Sequence, residues 1–289
     1  MIVSASYRTD IPAFHGAWFL NRLAAGWAAV RNPYGGGVSR VALDRGAVDG
    51  FVFWTKNIGP FLDGLDAVAA RGHPFVVQHS VTSAPRALER SAPAPDKAVA
   101  DIRAVARRFG RRAVVWRYDP IVISDLMPAD AHRAAFVRLA AALAGSVDEV
   151  TLSFVQPYRK TARNLGAAAA AHGFAWRDPP ADEKTALLAG LGEIARDHDL
   201  SATLCAQPEL LVDGLAAARC VDARRLSDVA GREIGARRKG NRPGCLCAES
   251  RDIGAYDTCP MGCVYCYAVR DRDRAAARRA AHDPASDTL

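Results

Sequence analysis

The chain has 289 residues, half of them hydrophobic and 24% charged, which suits a soluble globular protein with one large α/β domain or two small ones. Lys and Arg total 38 against 31 Asp and Glu, a formal charge of +7; this permits a polyanionic partner such as nucleic acid, but an ordinary basic surface accounts for it too. The opening MIVSASYRTDIP lacks the basic n-region and apolar run of a signal peptide, and no stretch approaches the roughly 18 apolar residues of a membrane span, so a cytoplasmic protein without a membrane partner is expected.

The first predicted strand, Ile2–Ser6, leads into Tyr7, Arg8, Thr9 and Asp10. Asp10-Ile11-Pro12 reads as a helix start, with Phe14, Trp18, Phe19 and Leu23 following at helical spacing. A second strand, Phe51–Thr55, leads into Lys56 and Asn57, and a third, Phe75–Ser80, closes on Gln78 and His79. Thr82–Asp96 is rich in Ser, Ala and Pro and reads as a surface loop. A helix over Asp96–Phe109 stops at Gly110. The fourth strand, Ala113–Tyr118, carries Arg117 and is followed by Asp119. A helix over Pro128–Leu143 stops near Gly145, and the fifth strand, Glu149–Phe154, leads into Gln156, Pro157, Tyr158, Arg159 and Lys160. A helix over Glu183–Arg196 carries Leu187, Leu188, Leu191 and Ile194, and the sixth strand, Ser201–Ala206, ends near Cys205.

Strands alternating with helices predict a parallel sheet, and nearly all-apolar strands predict that both faces are covered. The expected fold is therefore α/β, a full or partial (β/α) barrel. Residues 1–206 form its body, 207–280 a cysteine-rich segment on the same domain, and 281–289 a polar tail predicted to be disordered. Polar residues recur where the apolar strands end, which is where a β/α barrel places its active-site mouth. Arg8, Asp10, Lys56, Arg117 and Asp119 are the candidate catalytic or ligand-binding residues. His15, His73 and His132 have no partner pattern and read as structural or surface residues. No Walker A loop, Rossmann glycine fingerprint, zinc-protease motif or nucleophile elbow is present.

Five of the seven cysteines fall between Cys245 and Cys266. In a cytoplasmic chain such crowding points to metal or catalysis before disulfides. Cys259-Pro260-Met261-Gly262-Cys263-Val264-Tyr265-Cys266 spaces three thiols as C-x3-C-x2-C. Three thiolates on one short loop suit three irons of a [4Fe–4S] cube and leave the fourth iron open, whereas clusters with four cysteine ligands are closed. Gly262 and Pro260 suit the tight turn. Zinc held by Cys245, Cys247, Cys263 and Cys266 is the competing reading; it leaves Cys259 without a role. Cys205, Cys220, Cys245 and Cys247 match the ligand count of a second iron–sulfur cluster or a zinc site, although Cys205 and Cys220 also read as small buried hydrophobes. Arg270, Arg274 and Arg278 follow the last cysteine at helical spacing, as a solvated surface or a phosphate-facing one.

The C-x3-C-x2-C spacing, with the aromatic Tyr265 before the last cysteine, resembles the signature of the radical S-adenosylmethionine (SAM) superfamily. The wider strings CLCAESRDIGAYDTCPMGCVYCYA, SASYRTDIPAF, VFWTKN and WRYDPI resemble a bacterial family of unknown function, and YCYA is similar to a short stretch of the spore photoproduct lyases. The superfamily resemblance implies a [4Fe–4S] cluster on Cys259, Cys263 and Cys266. It also implies SAM on the open iron, Tyr265 near the adenine, and an electron donor such as flavodoxin or ferredoxin. The implied reaction is reductive cleavage of SAM to a 5′-deoxyadenosyl radical that abstracts hydrogen from a substrate. Two departures stand out. No Gly-Gly-Glu motif is present for the SAM amino group. The cysteine loop also lies near the C-terminus instead of after the first strand. A circularly shifted order would reconcile the second departure, with Ile2–Ser6 as second strand beside the cysteine loop. The alternative function is a structural or electron-transfer metalloprotein that binds nucleic acid through its basic surface.

Overall fold

The computed structural model describes residues 1–33 and 35–289. Its strands are β1 (Ile2–Ala5), β2 (Trp27–Arg31), β3 (Val38–Ala42), β4 (Gly50–Thr55), β5 (Phe75–Ser80), β6 (Val114–Ile121), β7 (Glu149–Phe154), β8 (Ser201–Leu204), β9 (Ala216–Ala217) and β10 (Ser250–Asp252). Eight of them form one sheet in the order β10-β1-β4-β5-β6-β7-β8-β9, and every pairing in it is parallel. The helices are α1 (Ile11–Phe14), α2 (Gly16–Ala25), α3 (Leu62–Ala70), α4 (Pro95–Phe109), α5 (Ala129–Leu143), α6 (Arg159–His172), α7 (Ala181–Asp197), α8 (Ala223–Ala230) and α9 (Arg272–Ala281). This is a helix-flanked parallel sheet of generally TIM-barrel-like construction. Its strand order is linear, with β10 and β9 at the two edges. Among the described residues no helix is long and apolar enough to cross a membrane.

Period-two alternation divides each central strand between two buried clusters. Val3, Ala5, Phe51, Phe53, Phe75, Val77, Val114, Trp116 and Tyr118 face one cluster, together with Trp18 and Phe19 of α2, Leu65 of α3, Ile102 of α4 and Phe136 of α5. Ile2, Val52, Val76 and Val115 face the other, with Cys205, Cys220, Val221, Leu226, Ile234 and Cys247. The second face is thus covered by the segment that carries the cysteines. α8 is fastened there by Arg225, which reaches Asp148 Oδ1 at 2.9 Å and Glu149 Oε2 at 2.6 Å. Gly50 makes the fit possible: a Cβ at that position would lie 2.9 Å from Leu226 Cδ2 and 3.1 Å from Pro74 O.

Several sequence expectations change. The single helix expected from Asp10 breaks at His15 into α1 and α2. The hairpin β2–β3, the short β9 and the polar β10 escape an apolar pattern. β10 reads Ser-Arg-Asp, and only Asp252 is buried; its burial is tolerated because Asp252 is satisfied by Ser4 Oγ, Ser6 Oγ and the N–H groups of Tyr7 and Gly254. Arg270 lies outside α9, whose N-cap is Asp271, so the three arginines do not share one helix. Thr82–Asp96 is not a free surface loop; Glu89 pairs with Cys263 across it.

The tail at 281–289 is docked, contrary to its polar composition. Trp18 Nε1 donates to Ser286 O at 3.0 Å, Ala29 N donates to Asp287 O at 2.9 Å, and Arg22 pairs with Asp287. Backbone carbonyls and one carboxylate do the anchoring, so apolar content is a poor guide. Deleting residues 282–289 should cost about 1–3 kcal/mol, because these bonds lose their acceptors. An unchanged melting temperature would show that the docking contributes nothing.

Candidate active site and its cysteine loops

β10 and β1 run parallel, with Ser4 opposite Asp252, and Ile253 N donates to Ser4 O at 3.0 Å. The loop leaving the C-terminal end of β10 carries Cys259, Cys263 and Cys266 beside the segment leaving β1. A second segment clasps it: Val264 N donates to Leu88 O at 3.0 Å, Arg90 N to Gly262 O at 3.3 Å and Ser91 N to Met261 O at 3.0 Å. Gly262 has φ +80°, and a Cβ there would lie 2.7 Å from Arg272 Nε and 3.1 Å from Arg90 Cβ, so the clasp needs glycine. Burial pushes the Cys259 thiol up to about 12, while the N–H groups of Met261 and Asp10 pull against it. Cys266 is also raised by burial, against N–H bonds from Ala268 and Val269. Backbone donors therefore already point at two of the three sulfurs.

Glu89 organises the wall of this loop. Its Oε1 accepts from Lys56 Nζ at 2.9 Å, from Thr82 Oγ1 at 2.9 Å, and from the Tyr265 hydroxyl. Burial works against the Lys56 charge, but Glu89 and Cys263 outweigh it and the ammonium stays protonated. Asp10 has both oxygens committed: Oδ1 accepts from Ala13 N at 3.0 Å and Oδ2 from Lys56 N at 2.8 Å. Burial raises it to about 6. These bonds make Asp10 the N-cap of α1 and the anchor of the strand end after β4, a positioning residue by its contacts. Arg8 lies 3.7 Å from Asp252 and over the rings of Tyr7 and Tyr256. Its Nε and the Thr9 hydroxyl are buried without hydrogen-bond partners.

Arg117 and Asp119 belong elsewhere. Arg117 Nη1 donates to Gln78 Oε1 at 3.1 Å and to Cys220 Sγ at 3.0 Å, and its other nitrogen pairs with Asp119. Cys205 and Cys220 lie 3.5 Å apart, Sγ to Sγ. Cys247 hydrogen-bonds both Cys220 and Cys245, and the bond from Cys247 lowers Cys245 to about 6. The seven thiols thus fall into two groups, one of three and one of four. The mixed set for zinc, Cys245 and Cys247 with Cys263 and Cys266, is not gathered. Among the described residues no three His, Cys, Asp or Glu converge as ligands of a single ion do.

Trp54 stands between the groups. Its ring lies 5.2 Å from the Arg117 guanidinium and 6.4 Å from the Tyr7 ring, and its Nε1 donates to Ser4 Oγ at 3.0 Å. Sequence reasoning missed Glu89, Trp54, Asp252 and Arg242 as site residues. Only Trp54 had a visible signal, its place at a strand end beside Lys56. His15, His73 and His132 are buried, in line with a structural role.

His79 is fully buried with neither ring nitrogen hydrogen-bonded. Burial, with Lys56 and Lys97 adding to it, pushes it down to about 3 from 6.5. The unfolded chain therefore takes up a proton that the folded chain refuses. The stabilisation is fully present above pH 6.5 and is lost as pH falls towards 3, by up to about 1.4 kcal/mol per pH unit. Melting curves at pH 7 and pH 5 should differ less for His79→Leu than for the native chain. An identical acid limb in both would rule out His79 as a source.

No curated protein and no solved structure matches the chain. A family model described as a domain of unknown function, DUF1848, matches residues 2–268. That span covers β1 to β10, both groups of thiols and the clasp on Glu89, and on it the chain belongs to the DUF1848 family.

Proposed function

We propose that the chain is a radical SAM-type enzyme in which Cys259, Cys263 and Cys266 hold a [4Fe–4S] cluster. The observation that carries the reading is the clasped three-cysteine loop at the C-terminal edge of a parallel sheet, following a strand that pairs with β1. In this reading β10 takes the place of the superfamily's first strand and β1 that of its second. The donor set fits the group. Three cysteines share one loop, backbone N–H groups face Cys259 and Cys266, and Gly262 permits the turn. A cube takes each thiolate on a different iron, so it does not require three sulfurs to share one centre as zinc does.

When bound, the cluster and SAM would supply reductive cleavage to a 5′-deoxyadenosyl radical for hydrogen abstraction from a substrate not yet identified. The chain's residues prepare that site. Glu89 fixes Tyr265, assigned to the adenine, and keeps Lys56 charged beside Cys263. Arg8 Nε makes no hydrogen bond, although it lies 3.7 Å from Asp252 Oδ1, and with no Gly-Gly-Glu motif the carboxylate of SAM is the anionic group assigned to it. Arg8, Lys56 and Tyr265 are thus candidates for contact with SAM or substrate, and Asp10 positions them. A low-potential electron must come from outside, from a flavodoxin- or ferredoxin-like donor.

The test is anaerobic reconstitution with ferrous iron and sulfide, reduction with dithionite, and chromatography for 5′-deoxyadenosine and methionine. Formation of both supports the reading. A loaded, reducible cluster that neither binds nor cleaves SAM overturns it in favour of a structural or electron-transfer role. Salt-sensitive binding of DNA or RNA, indifferent to SAM, would point to the nucleic-acid alternative.

A further inference from the structure

We infer that Cys205, Cys220, Cys245 and Cys247 form a thiol–disulfide relay, in which oxidation enters at Cys245 from a small disulfide and comes to rest as a disulfide between Cys205 and Cys220. The inference goes beyond the SAM reading and does not depend on it.

Four thiols from three separate stretches meet on the second face of the sheet. Cys205 follows β8, Cys220 lies between β9 and α8, and Cys245 and Cys247 lie in the segment before β10. Cys205 and Cys220 stand 3.5 Å apart, Sγ to Sγ. Cys220 hydrogen-bonds Cys247, and Cys247 hydrogen-bonds Cys245. Sulfurs in mutual contact are placed for attack of one on the next, which is how disulfides form and move. The backbone holds them there. Lys239 N donates to Cys247 O at 2.9 Å, and Ala248 N to Val221 O at 2.8 Å. A Cβ at Gly240 would lie 2.3 Å from Cys245 O and 2.7 Å from Cys245 Cβ, so glycine lets the segment close on Cys245.

The chain of contacts has a direction. Cys245 is half-buried while the other three are buried, so a molecule arriving from solvent meets Cys245 first. The bond from Cys247 lowers Cys245 to about 6. It is therefore largely thiolate at neutral pH, the form that attacks a disulfide. Deeper in, Arg117 Nη1 lies 3.0 Å from Cys220 Sγ and Arg242 Nη2 3.4 Å from Cys205 Sγ. A guanidinium beside sulfur favours the thiolate that each exchange needs. The hydrogen bond with Cys220 and burial still hold the Cys205 thiol well above its usual range, so the last exchange is the slow one.

Each exchange trades one S–S bond for another. The Cys245 thiolate attacks a small disulfide, forming a mixed disulfide and releasing one small thiolate. Cys247 attacks the Cys245 sulfur, releasing the second small thiolate and leaving Cys245–Cys247. Cys220 attacks Cys247 and frees Cys245. Cys205 attacks Cys220 and frees Cys247. The protons of Cys205 and Cys220 end on the two small thiolates. In sum the small disulfide is reduced by two electrons to two thiols, and the Cys205–Cys220 pair is oxidised by two.

The experiment treats the reduced full chain anaerobically at pH 7 with glutathione disulfide and maps linkages by mass spectrometry of non-reduced peptides. Free thiols are counted over time in C259A/C263A/C266A, which keeps only these four cysteines. That variant should lose two thiols, and both it and the native chain should end with Cys205–Cys220, with glutathione on Cys245 only at early times. Dithiothreitol should restore both thiols. C220A should stop at Cys245–Cys247, and C205A at Cys220–Cys247. C245A should form its internal disulfide at least ~10-fold more slowly, because the remaining thiols are scarcely ionised. Three results overturn the inference: a Cys205–Cys220 bond made at the native rate in C245A, glutathione that stays on Cys245 with no internal disulfide, or a stoichiometric metal ion on the triple variant as purified. If a single variant does not fold, the linkages of the native chain still decide. SAM cleavage by a chain that makes no Cys205–Cys220 bond would leave the SAM reading standing without the relay. The linkage in a chain that never cleaves SAM would do the reverse.

Discussion

Replacing any one of Cys259, Cys263 or Cys266 with Ala should reduce 5′-deoxyadenosine formation to the background of the cluster-free protein and remove about four irons per chain. The expected loss is complete because the remaining two thiolates leave two irons without protein ligands, and a cube held on one side cannot keep its open iron at a fixed place. The clasp on Leu88, Arg90 and Ser91 is made by backbone atoms, so the apo variants should fold and melt close to the native chain. Tyr265→Ala should separate binding from assembly. It removes the ring assigned to the adenine and the hydroxyl bond to Glu89, yet leaves all three thiols in place. Its iron count should stay native while the KM for SAM rises. A cysteine variant that loses iron and still cleaves SAM at the native rate would sink the assignment of the cluster.

Parts of this arrangement were legible from the residues, for reasons that can be named. β5 and β7 have the bounds expected of them, because the Phe, Val and Leu residues of a central parallel strand are buried on both faces and mark it even where Gln78, His79, Thr151 and Ser153 are buried among them. The helix stops at Gly110 and near Gly145 were equally direct. β10 was hidden because the burial of Asp252 rests on three donors from β1 and the turn after it, with a fourth from Gly254 N just beyond β10 itself, a property of the assembled pair. Glu89 was hidden in the same way. Nothing in SAPRALERSAPAP marks its glutamate, and its partners Lys56, Thr82 and Tyr265 are joined to it only by the fold. Of the five residues read as lying at strand ends, Arg8, Asp10 and Lys56 follow β1 and β4, but Arg117 and Asp119 lie within β6, which runs on to Ile121, and the five do not form one group. Arg8, Asp10 and Lys56 gather at the three-cysteine loop, while Arg117 and Asp119 turn to the four-cysteine group. Side-chain direction on adjacent strands makes that division, and sequence spacing alone does not carry it.

Glu89→Ala should destabilise the protein by about 3–5 kcal/mol, the range expected when one partner of a buried ion pair is removed. Lys56 and Glu89 are 12% and 6% exposed in their side chains, so water cannot take over the role of the lost carboxylate. Lys56 then either carries an unpaired charge in the interior or gives up its proton, and Thr82 and Tyr265 lose their acceptor as well. Glu89→Gln should cost less, since an amide oxygen still accepts from Thr82 or Tyr265 while the ion pair is gone. The double variant K56M/E89L should recover most of the loss, because replacing both partners by apolar side chains removes the buried charges together. A double-mutant cycle on urea unfolding measures the coupling. These three results separate stability from chemistry. In K56M/E89L the backbone clasp on Cys263 persists, so about four irons should still load on the first loop, whereas Tyr265 is no longer held and SAM binding should weaken as in Tyr265→Ala. If Glu89→Ala melts like the native chain, the Lys56–Glu89–Tyr265 network does not hold this wall together, and the positioning of Tyr265 must come from the backbone of its loop alone.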